Sequence, residues 1–169
     1  WKIVHSPRFG VLVDGEAFFA AVRSSCARAR KRIFVLGWDF DSRTKLRPQR
    51  RLTSRQVPVG DYLRSLVEQK SDLEVYVLIW WGSIFYGANQ DLPVTFSDTW
   101  WSHPRIHFRL DDHHPLGASH HQKIICIDDK VAFVGGMDLT IRRWDSKEHQ
   151  AEHDLRKGPD GVSYPPVHD

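Results

Sequence analysis

The sequence predicts an α/β domain, and three observations carry the prediction. Ile33–Trp38 and Leu73–Trp80 are continuous apolar runs of strand length, rich in β-branched and aromatic residues. A stretch with helical spacing precedes each of them. Shorter strand-like runs follow at Arg105–Leu110, Lys123–Ile127 and Val131–Val134. Runs apolar on both pleat faces suit buried strands, and alternation of strands with helices favours parallel pairing. The expected architecture is a mixed, largely parallel sheet flanked by helices.

In chain order, Val11–Val13 reads as a first short strand, stopped by Asp14-Gly15. From Glu16 to Arg30 the period becomes helical, with Phe18, Val22 and Cys26 four apart and Phe19 beside them. Asp14 and Glu16 at its head, and Arg28, Arg30 and Lys31 at its end, complement the helix dipole. After Ile33–Trp38 comes a loop with Pro48 and Pro58 and six basic residues between Arg43 and Arg55, without an acidic one. It reads either as a solvated surface or as a collar attracting phosphate groups. Asp61 can cap a second helix whose Leu63, Leu66 and Val67 share a face. Trp81 to Pro104 lacks a regular pattern; Asp128-Asp129-Lys130 is a tight turn between the last two strands. Trp38 and Trp80 read as core. Trp81, Phe85, Tyr86, Trp100 and Trp101 read as packed loop anchors or as a rim for a lipid interface.

A chain of 169 residues, 41 % hydrophobic and 27 % charged, is long enough for one domain with a substantial core, spanning 1–169. Its charge of +3 leans toward anionic partners without singling out nucleic acid. Cys26 and Cys126 form no CxxC pair and sit in apolar patterns, consistent with a reducing compartment. No run approaches the length needed to cross a bilayer. The location stays open between cytoplasmic and membrane-associated. Neither His103/His107, interrupted by Pro104, nor His149/His153 supplies a third ligand at a defined spacing, so no metal or other cofactor is expected.

The chemistry concentrates in HHQKIICIDDKVAFVGGMD, His120 to Asp138. His121 and Lys123 are two apart at the head of a strand, so their side chains leave one face. Asp128 has the opposite parity at the strand's end, which suits fixing the turn. Gly135-Gly136 closes the next strand and leaves backbone N–H groups open to a ligand. An imidazole, an ammonium and backbone donors on one edge suit attack on a phosphate ester. By spacing alone, an exposed His and Lys at a strand edge explain the pattern as well. His113 and His114, on the loop ahead, line a pocket mouth or lie on a polar surface.

His121-x-Lys123-x4-Asp128-x6-Gly135-Gly136 resembles the HKD motif of the phospholipase D superfamily. LDDHHPLGASHHQKI, FVGGMDLTIRRWD, RIFVLGWDFDSR and the terminal PPVHD extend the resemblance to nearly the whole chain, and the Gly-Gly-x-Asp version is similar to the lipid-cleaving branch, as in the N-terminal half of a bacterial-type enzyme. The resemblance implies a catalytic set of His121, Lys123, Asp128, Asp138 and Asp169. His121 would form a phosphohistidine, Lys123 would bind the phosphate, Asp138 would support the site and Asp169 would orient His121. Gly135, Gly136, His113 and His114 would contact substrate.

The family builds its site from two motifs, and this chain carries one. The second half is therefore expected in a longer chain, of which this is a piece inactive by itself, or in a second copy. The missing Met and the end at Asp169 favour the longer chain. The expected activity is metal-independent hydrolysis or transfer of the headgroup of a glycerophospholipid at a membrane interface. The alternatives are a nuclease or a cardiolipin synthase-type phosphatidyltransferase with the same chemistry, and a non-catalytic phosphate- or lipid-binding module.

Overall fold

The computed structural model describes residues 3–48, 56–82 and 99–166. Among them the elements run α1 (Asp14–Arg28), β1 (Arg32–Gly37), α2 (Val59–Gln69), β2 (Glu74–Trp80), β3 (Ile106–Asp111), β4 (Ile124–Ile127) and β5 (Val131–Val134). The five strands form one sheet in the order β3-β2-β1-β4-β5. β3, β2 and β1 pair in parallel; β4 runs antiparallel to β1, and β5 antiparallel to β4. The mixed α/β sheet flanked by helices is the expected class, with α2 joining the parallel pair β1–β2 and a short turn joining the antiparallel pair β4–β5.

Register explains which side chains form the core. Ile33 lies opposite Val75 on one side and Ile127 on the other, and Val75 opposite Ile106. All four point to one face, with Val35, Val77 and Ile125, and all are buried. That face packs on Phe19, Val22 and Cys26 of α1 and Val59, Leu63, Leu66 and Val67 of α2. Burying such side chains stabilises by roughly 1.5–3 kcal/mol each, before the entropic cost of ordering them. The opposite face carries Phe34, Leu36, Tyr76, Leu78, Ile124 and Cys126, each half-buried, with Phe34 and Tyr76 stacked at 4.9 Å. The apolar runs therefore bury one face fully and the other in part.

Three local expectations need correction. Val11–Val13 is not a strand: it has no partner among the described residues, and Val11 is 77 % exposed. Apolar residues with no sheet edge to pair with form no ladder. The first helix starts at Asp14 and ends at Arg28, because its first turn docks on the backbone after the motif. Glu16 N–H donates to the Asp145 carbonyl at 2.8 Å, and a Cβ on Gly15 would lie 2.3 Å from the Arg143 carbonyl oxygen. Asp61 does not cap α2: Pro58 holds the N-cap position and Asp61 sits inside the first turn, where its charge still complements the dipole. Trp100 is a core residue, against Phe40 at 5.4 Å and Phe108 at 5.9 Å, while Trp81 and Trp101 are exposed. Phe85 and Tyr86 lie outside the described residues.

Candidate active site

The parallel strands β1, β2 and β3 end at one edge of the sheet. β4, running the other way, begins there, and β5 ends there. Trp38, Trp80, Asp111, the 112–123 loop and Gly135–Asp138 are thus brought together from five strands. Crevices beyond the carboxyl ends of parallel strands are where α/β sheets bind ligands.

Asp138 is the buried centre of this edge, 4 % exposed. Its Oδ2 lies 3.2 Å from Lys123 Nζ, and its Oδ1 accepts the Trp38 backbone N–H at 3.0 Å. Gly37 permits that approach, since a Cβ there would lie 2.8 Å from Asp138 Oδ1. Burial pushes the Asp138 carboxyl above its ordinary range, outweighing the Lys123 ammonium and the Trp38 and Asp39 N–H groups that work to lower it. Neighbouring Asp39 is also raised by burial, although it accepts a 2.7 Å hydrogen bond from the Thr140 hydroxyl. The Lys123 side chain is 10 % exposed, so its ammonium is fixed by a nearly dry ion pair.

His121 is exposed, its ring edge-on to Trp38 at 6.0 Å between centroids. Trp38 stacks on Trp80 at 5.6 Å. Trp80 Nε1–H donates to His114 Nε2 at 2.9 Å, while His114 Nδ1 lies 3.0 Å from the Pro115 carbonyl. Accepting at Nε2 and donating at Nδ1 requires the neutral Nδ1–H tautomer, so His114 is a strut under the aromatic pair. His120 packs on His114 at 5.8 Å, with Nε2 3.5 Å from Asp111 Oδ2. His113 is exposed, its backbone N–H donating to Asp111 Oδ1 at 3.0 Å.

Asp128 is not in this group. At the far end of β4 its carboxylate accepts the backbone N–H groups of Arg30, Lys31 and Arg32 at 2.8, 2.8 and 2.9 Å. Burial works to raise its pKa, yet these three bonds, with Lys130 nearby, hold it below the ordinary value. Asp128 and Asp129 both adopt positive φ, 52° and 56°, a conformation open mainly to Gly, Asn and Asp. Asp169 lies outside the described residues.

Gly135 and Gly136 lie beside Asp138 under a different constraint. A Cβ on either would meet nothing within 4 Å, and neither has the positive φ that would call for glycine. Sequence reasoning placed both Trp38 and Trp80 in the core, which holds for Trp80 but leaves out the contact of Trp38 with His121. Trp38 lies just beyond β1 and is half-buried, while Trp80 is 7 % exposed. Their position at the carboxyl ends of two parallel strands was the available signal. Asp39, Asp111, His120 and Thr140 were missed too, because their partners come from distant segments. Among the described residues no group of three or more His, Cys, Asp or Glu is placed to hold a metal ion.

No protein-family model matches the chain. It is 29 % identical over 156 residues to Phospholipase D B of Dictyostelium discoideum, covering 90 % of this chain and 12 % of that protein. Over 157 residues it is 31 % identical to a phospholipase D of Phytophthora infestans, covering 81 % of this chain and 8 % of that one. With Phospholipase D zeta 1 of Arabidopsis thaliana the identity is 30 % over 145 residues, 82 % of this chain and 13 % of the relative. The chain thus spans only about a tenth of the length of these relatives. It shares its fold with NucT from Helicobacter pylori at a TM-score of 0.53 and 14 % identity, over 76 % of this chain and 71 % of that one. Sequence similarity over most of the chain, together with the shared fold, places it in the phospholipase D superfamily.

Proposed function

We propose that the chain is one catalytic half of a metal-independent phosphodiesterase of phospholipase D type, acting on the headgroup bond of glycerophospholipids. The observation that carries this reading is the Lys123–Asp138 pair, which fixes an ammonium 3.4 Å from the backbone carbonyl of the exposed His121 at the carboxyl edge of the sheet. The two glycines add to it. Since neither packing nor backbone conformation calls for glycine at 135 and 136, close approach of a ligand to their N–H groups accounts for both.

In the proposed reaction a His121 ring nitrogen attacks phosphorus and the bond to the headgroup oxygen breaks. The departing alkoxide takes a proton from a general acid, the histidine of a second motif. That second half comes from the same longer chain or from a second copy. Lys123 and the Gly135–Gly136 N–H groups stabilise the charge building on the phosphoryl oxygens. Water, deprotonated by the second histidine, then cleaves the phosphohistidine. Phosphatidic acid leaves and His121 is restored; an alcohol in place of water gives transfer. Asp169 is assigned the role of accepting the other ring N–H of His121, which fixes its tautomer. Asp138 positions Lys123, and Asp128 serves the turn.

The test is hydrolysis of a chromogenic phosphodiester in EDTA over a range of protein concentrations, beside His121→Ala. Turnover that rises faster than linearly with concentration and vanishes in the variant supports two copies completing a site. Equal turnover by the variant refutes His121 as nucleophile. Turnover by neither assigns the second half to a different segment, and the same comparison is then made with that segment attached.

A further inference from the structure

A second cluster of cationic side chains converges away from His121 and Lys123. Behind the Asp138 segment lies a pocket lined by Arg43, Lys45, Arg142 and Lys157, with no acidic residue among its lining side chains. These cations come from three stretches far apart in sequence, so local composition does not explain their convergence. The cavity measures about 20 Å³, room for one oxygen-sized group, and it is partly open to the surface. Thr44 also lines it, is 4 % exposed, and its Oγ1 is buried without a hydrogen-bond partner. An orphaned buried hydroxyl costs about 1–3 kcal/mol unless something outside the chain completes it.

Hydrogen bonds tie down the walls. The guanidinium of Arg156, 1 % exposed, binds Asp145 Oδ1 at 3.0 Å, the Tyr164 carbonyl at 2.8 Å and the Ala151 carbonyl at 2.6 Å. This pins the segment carrying Lys157. Arg43 is held on Asp41 by bonds of 3.0 and 2.7 Å. Lys45 and Lys157 make no ion pair with a carboxylate among the described residues.

We propose that this pocket binds a phosphate monoester or inorganic phosphate, one oxygen reaching the Thr44 hydroxyl and the others meeting Lys45, Arg142 and Lys157. The site is separate from His121 and Lys123 and does not rest on the phosphodiesterase reading. It abuts the catalytic edge through Thr140, which lines the pocket while donating to Asp39. Lys45, from the basic stretch, thereby acquires a defined anion partner.

The experiment is a titration followed by amide NMR shifts of the 169-residue chain. One arm uses inorganic phosphate; the other uses phosphatidylcholine vesicles with and without phosphatidic acid. Shifts at Thr44, Lys45, Lys157 and Gly158 in either arm are the expected result, and the arm that saturates first identifies free phosphate or lipid headgroup as the source. Lys45→Gln with Lys157→Gln should weaken binding at least about tenfold, since each charge-assisted hydrogen bond contributes roughly 1.5–3 kcal/mol. Thr44→Val should weaken it several-fold. His121→Ala should leave these shifts in place, which separates this site from the catalytic one. Shifts confined to His121–Gly136, no shifts, or shifts untouched by the lysine changes would each overturn the proposal.

Discussion

Two aspartates ten residues apart, Asp128 and Asp138, stand at opposite edges of one sheet and do opposite things. Asp128 is surrounded by donors: three backbone N–H groups converge on it and the turn conformation around it is one that aspartate tolerates. Its pKa is lowered. Asp138 is buried against the Lys123 ammonium and the backbone N–H groups of Trp38 and Asp39, and burial raises its pKa. A carboxylate satisfied by backbone lowers the free energy of the fold. A carboxylate held above its ordinary range by burial is kept at a cost in stability, and what it provides in return is a fixed position for Lys123. Within one stretch of chain the two ends of a four-residue strand thus divide between a satisfied turn and a buried ion pair.

The contrast can be broken most sharply at His121. If the chemistry resides at the Asp138 edge, His121→Ala should lower phosphodiester turnover by about 10⁴-fold or more in whichever assembly is active, as removal of a nucleophile does, with the urea midpoint unchanged. Next in size, Asp138→Asn should cut turnover by about 100-fold, because Lys123 loses its charged anchor, while thermal unfolding moves little. A variant that instead unfolds without losing specific activity would assign Asp138 to structure.

Asp128→Ala should do the reverse, lowering unfolding free energy by about 2 kcal/mol through three orphaned N–H groups and the left-handed residue, with turnover per folded molecule retained. The pH dependences should differ in sign. The folded pKa of Asp128 lies below its ordinary 3.8, so its stabilisation is present above that pH and is lost as pH falls through the folded value. The folded pKa of Asp138 lies above 3.8, so its contribution is present below that pH and is lost as pH rises through the folded value. Urea titrations from about pH 3 to 6 should therefore show a shallower acid limb in Asp128→Asn and a flatter slope just above it in Asp138→Asn. The smallest effect is expected at Gly136→Ala: no change in stability, since the new methyl meets nothing, and a rise in KM of roughly tenfold if substrate approaches that backbone. An unchanged KM would remove the glycine pair from the proposed site.

Much of this was legible before any coordinates. The period of Glu16–Arg30 and the apolar runs at 33–38 and 73–80 announced α/β, because hydrophobic spacing reports local backbone geometry directly. The spacing of His121, Lys123 and Gly135-Gly136 announced one edge of a strand pair for the same reason. Asp128's odd parity pointed to the turn. Val11–Val13 misled, because an apolar triplet carries no information about whether an edge exists to receive it.

Local pattern, then, determined which segments are helix and strand and where the motif sits along them. Tertiary structure decided the rest. It brought the backbone N–H of Trp38, just beyond β1, onto Asp138 Oδ1, beyond β5, at 3.0 Å, a hundred residues apart in sequence. It set half-buried Trp38 against His121, with the buried Trp80 stacked on it, and it gathered Arg43, Lys45, Arg142 and Lys157 around one pocket. The physical reason is that strand order and register, not sequence distance, set which side chains meet. In this sheet β1 pairs with both β2 and β4, a choice fixed by burial of the whole face rather than by any one strand's residues.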